Sequence, residues 1–214
     1  MTLPVSLHPL RLDHTSQVIT IHREQFPGAR STSLGRPFLA RMVNWFVINQ
    51  PGLNYVAFAS DEPAGYILGA IGGYGRRLFR YALPEVLSGL SHNPKVLFQD
   101  RTYTLWSSYL RGLLPARKKQ ADEGPIIVKA SLASIAVLSA YQGRGIGRLL
   151  IQAFEDGARG RGATSLGLSV EENNRPARRL YENCGWVLSK VSPERGTVYY
   201  TKILRPPAQF AEHG

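Results

Sequence analysis

The order of hydrophobic and polar positions along the chain switches between two periods, and it predicts an α/β protein. Short apolar runs bounded by turn residues are typical of strands, and they lie at residues 6–11, 55–60, 64–72, 130–137, 165–170 and 197–204. Other segments repeat apolar residues at helical spacing. Asp13 or Thr15 suits the N-cap of a helix ending near Phe26, and Ser33 suits the N-cap of a second helix with an apolar face over 38–47.

Three alternating glycines form a loop between the apolar run 130–137 and an amphipathic helix. The loop reads Gln142-Gly143-Arg144-Gly145-Ile146-Gly147. Because glycine has no side chain, such a loop can turn its backbone N–H groups toward a ligand, and the next helix N-terminus adds a positive dipole. This predicts an anion site suited to a pyrophosphate, with Arg144 and Arg148 beside it. The spacing fits neither the dinucleotide nor the Walker pattern, so a ligand-free tight turn is the alternative.

A second motif, between residues 174 and 186, predicts a short capped helix with one apolar face. Asn174 is a favoured N-cap residue, and Pro176 lies in the first turn, where its missing N–H costs little. Gly185 suits the position just beyond the helix C-terminus. The apolar face has the spacing i, i+3, i+4 and i+7 and consists of Ala177, Leu180, Tyr181 and Cys184.

Together the two motifs resemble those of the GCN5-related N-acetyltransferase (GNAT) family. The family's cofactor-loop pattern is matched by Gln142, Gly145 and Gly147. Its later helix pattern is matched by Asn174, Ala177, Leu180, Tyr181, Gly185 and Trp186. The resemblance is strong over 128–203, is limited to element order over 6–72, and is absent from 76–120. It implies a mixed central sheet flanked by helices, with a cofactor cleft where the fourth and fifth strands splay apart.

Length and composition limit the number of domains and the class of protein. We expect the 214 residues to form one domain over 1–214, with an N-terminal half at 6–75, a basic helical insertion at 76–120 and an acetyl-CoA-binding half at 128–204. Hydrophobic content of 43% with 19% charged residues excludes a disordered chain, and no apolar run reaches the length of a membrane span. The N-terminus lacks the pattern of a signal peptide. The single Cys184 excludes an internal disulfide and predicts a cytoplasmic protein, with packing as its expected role.

The segment 76–120 carries most of the net charge of the protein. Its nine basic and two acidic residues give +7 of the total +11, and aromatic residues are interleaved among them. Apolar spacing predicts helices near 76–90 and 102–114. One interpretation is a solvated helical cap that carries surface charge. The other is a wall of the acceptor site or a docking surface for a nucleotide-linked sugar, an anionic lipid surface or a nucleic acid.

The resemblance implies acyl transfer from acetyl-CoA to an amine. No metal is expected, because no cluster of His, Cys, Asp and Glu residues has metal-ligand spacing. Backbone groups of Ile135, Ala136 and Val137 are expected to bind the pantetheine arm and the acetyl oxygen. The expected pyrophosphate loop consists of Gln142, Gly143, Arg144, Gly145, Ile146, Gly147 and Arg148. Asn174 is expected to bond the pantetheine, with N-capping alone as the alternative. Tyr181 is the expected general acid, since a phenol with an ordinary pKa near 10 is protonated at pH 7, and a packed aromatic is the alternative.

The general base is left open by the sequence. An amine attacks only when neutral, so a base or a water path must remove a proton from it. Many relatives place a glutamate on the fourth strand, whereas the run 130–137 offers only Ser131 and Ser134 as polar side chains. The remaining candidates, each with a structural or solvated role as the alternative, are His22, Glu24, Glu171 and Glu172. Ordered water is a further alternative.

The sequence therefore predicts an N-acetyltransferase acting on a small amine, such as an amino sugar on a nucleotide carrier. The segments 26–28, 32–35 and 38–39 resemble relatives associated with cell-surface polysaccharide synthesis. A protein N-terminus or a lysine is the alternative acceptor. A second class stays open, a non-catalytic acetyl-CoA-binding module docked to nucleic acid or anionic membrane through 76–119. The missing strand glutamate favours that class and Tyr181 disfavours it, so no nucleic-acid partner is expected. A homodimer stays open because family members often dimerise.

Overall fold

The computed structural model describes residues 4–94 and 128–204, which build one mixed seven-stranded sheet with helices on both faces. The strands are β1 (Val5–Pro9), β2 (Tyr55–Ala59), β3 (Glu62–Ile71), β4 (Lys129–Val137), β5 (Ser165–Glu171), β6 (Val187–Ser192) and β7 (Thr197–Ile203). The helices are α1 (Thr15–Gln25), α2 (Arg30–Ser33), α3 (Gly35–Asn49), α4 (Gly75–Tyr81), α5 (Leu83–His92), α6 (Ile146–Gly160) and α7 (Arg175–Asn183). The predicted α/β fold is confirmed.

The sheet has the order β1-β2-β3-β4-β5-β7-β6, and only the central pair β4–β5 is parallel. A hairpin joins β2 to β3 through Ser60 and Asp61, which have φ values of 48° and 68°. Left-handed conformation at both central residues is typical of the turn whose twist matches paired strands. The strand β6 has no counterpart among the predicted elements. Nearly all of it is exposed on both faces, so the apolar alternation that marks a strand is missing there.

Two apolar clusters cover the opposite faces of the sheet. Neighbouring residues of β3 point to opposite faces, and Ile67 lies in the cluster beneath α6 while Tyr66 lies in the cluster beneath α1 and α3. Helix α6 contributes Leu150 and Phe154, which are both fully buried. Each such side chain stabilises the fold by about 1.5–3 kcal/mol through loss of apolar surface from water. Because helices cover both faces of the sheet, a site on the central strands has to lie where two neighbouring strands are not paired.

The predicted N-caps of the first two long helices are wrong. A 3-10 turn precedes α1, so His14 occupies its N-cap position, and the Thr15 hydroxyl instead donates to Asn44 Oδ1 at 2.8 Å. Helix α3 begins at Gly35, with Leu34 as its N-cap residue. Ser33 ends the short helix α2 and donates its hydroxyl to a backbone carbonyl one turn earlier. In both places a local turn takes the position that the polar side chain suits.

Two helices occupy the first part of the segment 76–120. The sequence predicts helix near 76–90, and the structure has α4 and α5 there, separated at Ala82. The predicted helix 102–114 lies outside the described residues. Arg41 of α3 fixes this region to the domain, since its Nε donates to the Tyr81 carbonyl at 3.1 Å and lies 3.5 Å from a carboxylate oxygen of Glu85. The guanidinium also stacks 4.1 Å above the Tyr81 ring.

Candidate functional site

The central strands β4 and β5 part from each other halfway along their length. They pair only from Lys129–Ser165 to Ser131–Gly167. Beyond that point β4 continues with β3 and β5 continues with β7. A bulge at Ala133, where the β3–β4 register shifts, increases the local twist of β4. The result is a gap between the carboxyl ends of two parallel strands, which is where open α/β sheets bind ligands.

The β4 backbone offers hydrogen-bonding groups to this gap. The Leu138 N–H donates to the Ala64 carbonyl at 2.8 Å, and bonding residues alternate along an antiparallel pair. Ala136 therefore bonds to β3, whereas the backbone groups of Ile135 and Val137 point toward the gap. The Val137 carbonyl accepts a 2.9 Å hydrogen bond from Gln142 Nε2, which closes the end of the gap next to the glycine loop.

The glycine loop leads directly into the N-terminus of α6. Gly145 is the N-cap residue with φ of 81°, and no side chain caps this helix end. The first N–H groups of a helix have no partner within it, so those of Ile146, Gly147 and Arg148 are available to an anion. The Ile146 side chain is buried in the core, which holds the loop in place, while Arg148 is exposed beside it.

The remaining residues of the loop are arranged around the same opening. Gly143 has φ of 75°, and neither Gly143 nor Gly145 has another atom within 4 Å of the position of a side-chain Cβ. Arg144 is exposed, with its guanidinium 6.0 Å from the centre of the Tyr141 ring. Gln142 Nε2 also donates to Gln25 Oε1 at 3.2 Å, which connects the loop to the end of α1.

Helix α7 packs tightly against the first turn of α6. A Cβ on Gly147 would lie 2.9 Å from Leu180 Cδ2, so the absence of a side chain permits this approach. Asn174 caps α7, since its Oδ1 accepts from the Ala177 N–H at 3.1 Å, as predicted. Capping uses the amide oxygen and leaves the Nδ2 hydrogens as the groups that a ligand can accept from.

Tyr181 lies on the buried face of α7. Only 4% of its surface is exposed, and its ring lies 6.2 Å from Trp186 and 6.0 Å from Tyr200 between ring centres. Burial raises the pKa of Tyr181 to about 12, so its hydroxyl is a hydrogen-bond donor at neutral pH. Burial also raises the pKa of the Cys184 thiol, which keeps that group protonated and suits the packing role expected for it.

The candidate bases fall into two groups. Glu24, Glu171 and Glu172 are exposed, whereas His22 is 5% exposed. Burial lowers the pKa of His22 to about 4, so its imidazole is neutral at pH 7. Its Nδ1 shares a 2.6 Å hydrogen bond with the hydroxyl of Tyr66.

The Tyr66 hydroxyl in turn shares a 2.8 Å hydrogen bond with Ser134 Oγ on β4. The structure thus joins His22 and Ser134, two residues that the sequence singles out separately, through a tyrosine that the sequence analysis missed. Tyr66 lies in an apolar run and carries no motif, so no sequence signal indicates this role. Ser131 lies at the last pair between β4 and β5.

Within residues 4–94 and 128–204 no three His, Cys, Asp or Glu side chains converge as metal ligands would. In the same ranges, no helix has the length and apolar content needed to cross a bilayer.

Comparison with known proteins identifies the class. Residues 127–186, which include all of β4 and β5, match the model of the acetyltransferase (GNAT) family. The resemblance to GNAT proteins is therefore confirmed over this segment. No functionally curated protein matches the sequence significantly.

Solved structures extend the likeness of fold to nearly the whole chain. The PaiA N-acetyltransferase of Thermoplasma acidophilum, in complex with coenzyme A, is 13% identical with a TM-score of 0.60, and the alignment covers 94% of this chain and 100% of that one. Ard1 of Thermoplasma volcanium is 14% identical with a TM-score of 0.58, covering 94% and 98%. Naa50 of Arabidopsis thaliana, bound to the bisubstrate analogue CoA-Ac-MVNAL, is 16% identical with a TM-score of 0.56, covering 94% and 99%.

Proposed function

We propose that the protein transfers the acetyl group of acetyl-CoA to a primary amine. The observation that carries this proposal is the gap between β4 and β5, which has the uncapped N-terminus of α6 at one side and the helix of Tyr181 next to it. One end of this arrangement suits a pyrophosphate, and the other supplies a protonated phenol. A phosphate-containing thioester presents a group for each, its pyrophosphate for the helix N-terminus and its sulfur for the phenol.

The residues present fit the donor substrate. The N–H groups at the start of α6 and the open space beside Gly143 and Gly145 accommodate the pyrophosphate, and Arg144 and Arg148 add positive charge. Backbone groups that β4 turns toward the gap pair with the amides of the pantetheine arm, as a neighbouring strand would. The Nδ2 group of Asn174 supplies one more donor.

The chemistry requires a nucleophile, an oxyanion donor and a stabilised leaving group. The neutral amine nitrogen forms a bond to the acetyl carbon, and the bond from that carbon to sulfur breaks with its electron pair on sulfur. The proton that the new amide nitrogen loses passes through water to the released thiolate, which leaves as free thiol. A β4 backbone N–H pointing into the gap stabilises the oxyanion that develops between these events. A thiol has an ordinary pKa near 8.5, below the value of about 12 for Tyr181. Tyr181 therefore stabilises the leaving thiolate by donating a hydrogen bond, because complete proton transfer from it is unfavourable.

For the acceptor we propose a small amine on a nucleotide carrier. Helix α4, between β3 and β4, carries Arg76, Arg77 and Arg80, and all three are exposed. Three arginines on seven residues suit the phosphates of a nucleotide. Neutralising all three should raise KM for a UDP-linked amino sugar and leave acetyl-CoA affinity unchanged. Neutralising Arg195, at the far edge of the sheet beside β6, is the matched control. An unchanged KM would contradict this acceptor.

A peptide amine is the second candidate, because the fold resembles a structure that holds a CoA–peptide bisubstrate analogue. The first experiment is titration calorimetry with acetyl-CoA, for which we expect micromolar binding. The same protein is then assayed by release of free thiol with spermidine, glucosamine, a UDP-linked amino sugar and a short peptide with a free N-terminus. Acetylation of the peptide alone would select the second candidate. Binding without turnover on any amine would instead indicate a non-catalytic module, and absence of binding would contradict the proposal as a whole.

A further inference from the structure

Four side chains form a continuous hydrogen-bonded chain beneath the gap. Ser134 Oγ lies 2.8 Å from the Tyr66 hydroxyl, which lies 2.6 Å from His22 Nδ1. On the other side of the imidazole, His22 Nε2 lies 2.8 Å from Ser31 Oγ. Tyr66 and His22 are buried, whereas the two serines at the ends are partly exposed. The chain thus has a closed interior and two ends that a substrate or water can reach.

We propose that this chain, which we call the relay, conducts the proton that the acceptor amine must lose before it attacks. The inference rests on the proposed acetyl transfer. It places the proton exit at Ser31 and the entrance at Ser134, and it replaces the strand glutamate that many relatives have. Ser134 is the residue of the relay that touches the substrate, and Tyr66 and His22 act through it.

The position of Ser134 supports its role as the entrance. It lies three residues beyond Ser131, the last residue of β4 that pairs with β5, and so on the part of β4 that borders the gap. The bulge at Ala133 places Ser134 and Ala136 on the face of α1 and α3, while Ile135 lies on the face of α6. The relay therefore begins on the face of the sheet opposite to the helix proposed to hold the pyrophosphate.

The proton balance of the relay needs no charged intermediate on histidine. At the start, the ammonium donates to Ser134, Ser134 to Tyr66, Tyr66 to His22 Nδ1, and His22 Nε2–H to Ser31, which donates to water. A concerted shift by one bond along this chain takes one proton from the ammonium and delivers one proton to water. The amine keeps its electron pair and becomes neutral. His22 begins with its proton on Nε2 and ends with it on Nδ1.

The surroundings of His22 suit such a change of tautomer. Both ring nitrogens have hydroxyl partners, each of which can donate or accept. The ring packs against Phe26, with 5.1 Å between ring centres, and within the described residues no carboxylate forms an ion pair with it. Burial disfavours the doubly protonated imidazolium, so the proton is passed on and is not stored there.

The test compares the variants Ser134→Ala and Tyr66→Phe with a control, Tyr55→Phe, which removes a tyrosine hydroxyl outside the relay. Each is assayed with the panel amine that the wild type acetylates fastest, from about pH 6.5 to about pH 9.5. In this window neither His22 nor Tyr181 changes charge, because their pKa values are about 4 and about 12. The amine itself is the group that becomes neutral as the pH rises.

We expect both relay variants to lose about 10- to 100-fold in kcat at pH 7, with KM for acetyl-CoA unchanged. The deficit should shrink as the pH approaches the pKa of the acceptor, since a neutral amine needs no relay. A deficit that is equal at every pH, or no larger than that of Tyr55→Phe, overturns the relay. Denaturation midpoints and acetyl-CoA affinity verify that each variant is folded.

A second readout addresses the histidine directly. Nitrogen-15 NMR of histidine-labelled protein should show His22 neutral at pH 6, and Tyr66→Phe should change its ratio of tautomers. An imidazolium at pH 6 overturns the proton balance given above. A wild type that binds acetyl-CoA but acetylates none of the panel amines overturns the proposed function itself, which is distinct from an active wild type whose relay variants show a pH-independent deficit.

Discussion

The indole Nε1 of Trp186 donates a 2.8 Å hydrogen bond to Oε1 of Glu155, a carboxylate that is only 4% exposed. The other oxygen of Glu155 accepts from Lys202 Nζ at 2.5 Å, and the same ammonium donates to the Cys184 carbonyl at 2.7 Å. Glu155 lies on α6, Lys202 on β7, and Trp186 just after α7. This cluster therefore fixes the helix that carries Tyr181 to the helix that begins at the glycine loop.

Removing the cation from this cluster should destabilise the protein. Lys202→Met leaves the buried Glu155 carboxylate without its counter-charge, and we expect a loss of about 3 kcal/mol in the free energy of unfolding. The double variant Glu155→Gln/Lys202→Met removes both charges and should recover a large part of that loss. Urea denaturation measures both. The control is Lys190→Met on the exposed strand β6, expected to stay within about 0.5 kcal/mol of the wild type. Equal losses for the two lysine variants would show that the ion pair has no special role.

Tyr181→Phe should reduce turnover and leave donor binding intact. Removing one hydrogen-bond donor to a developing charge costs about 100-fold in kcat, whereas the ring that packs between Trp186 and Tyr200 is retained. We expect acetyl-CoA affinity, measured by calorimetry, to change less than about 3-fold, which is about 0.7 kcal/mol. Tyr199→Phe, on β7, is the control. Full activity of Tyr181→Phe would remove this residue from the mechanism.

The pKa of Tyr181 gives the same proposal a pH signature. A phenol with an ordinary pKa near 10 would begin to lose its proton near pH 9, and kcat would fall with it. With a pKa of about 12, Tyr181 should remain a donor up to about pH 11. A kcat profile that is level to the highest pH at which the protein is folded is therefore expected. A fall near pH 9 that is absent in Tyr181→Phe would contradict the buried, protonated phenol.

The two ends of α6 provide a matched test of the anion site. Gly145 and Gly162 have φ values of 81° and 75°, and a Cβ at either position would meet no atom within 4 Å. Glutamate should therefore cost about 1–2 kcal/mol of backbone strain at each. Only Gly145→Glu places a negative charge at the N-terminus of α6, so only this variant should lose acetyl-CoA affinity, by at least about 100-fold. Calorimetry measures the acetyl-CoA affinity of both variants. An equal loss of affinity in Gly162→Glu would contradict the anion site at the N-terminus of α6.

The parts of the fold that the sequence predicts well are those where one face is buried. The strand β5 and the helix α7 alternate or repeat their apolar residues because one side of each packs on the core. The strand β6 escapes prediction for the opposite reason. Its residues are nearly all exposed, and Val187 has 66% of its surface exposed. Hydrogen bonding to β7 holds the strand in place, so there is no buried face to produce a periodic pattern of apolar residues.

In the candidate site, the sequence predicts the local features and misses the contacts between residues that are distant along the chain. The glycine loop and the Asn174 cap are local features, and backbone geometry within a few residues determines them. The N-caps assigned to Asp13 and Ser33 are wrong because a short turn before each helix changes where the backbone enters it. The contact between His22 and Tyr66 spans 44 residues of sequence. Only the packing of α1 on β3 brings this pair together, and no spacing along the chain reports it.

The buried imidazole of His22 should make the stability of the protein depend on pH. Its pKa is lowered from 6.5 to about 4, so below about pH 6.5 the unfolded chain takes up a proton that the folded protein excludes. The free energy of unfolding is therefore not reduced by His22 above pH 6.5, and it decreases as the pH falls from 6.5 toward 4. The loss amounts to about 3 kcal/mol in total, at 1.4 kcal/mol per pH unit where it is steepest.

His22→Gln isolates this contribution, because glutamine does not titrate and still presents hydrogen-bonding groups to Tyr66 and Ser31. Urea denaturation at intervals between about pH 4 and about pH 7 should give a stability curve that is flatter for the variant than for the wild type, by about 3 kcal/mol over the range. Carboxylates that titrate in the same range contribute equally to both proteins and cancel in the difference. Parallel curves would mean that folded protein and unfolded chain take up the His22 proton at the same pH, which would contradict the lowered pKa and the imidazole that stays neutral at pH 6.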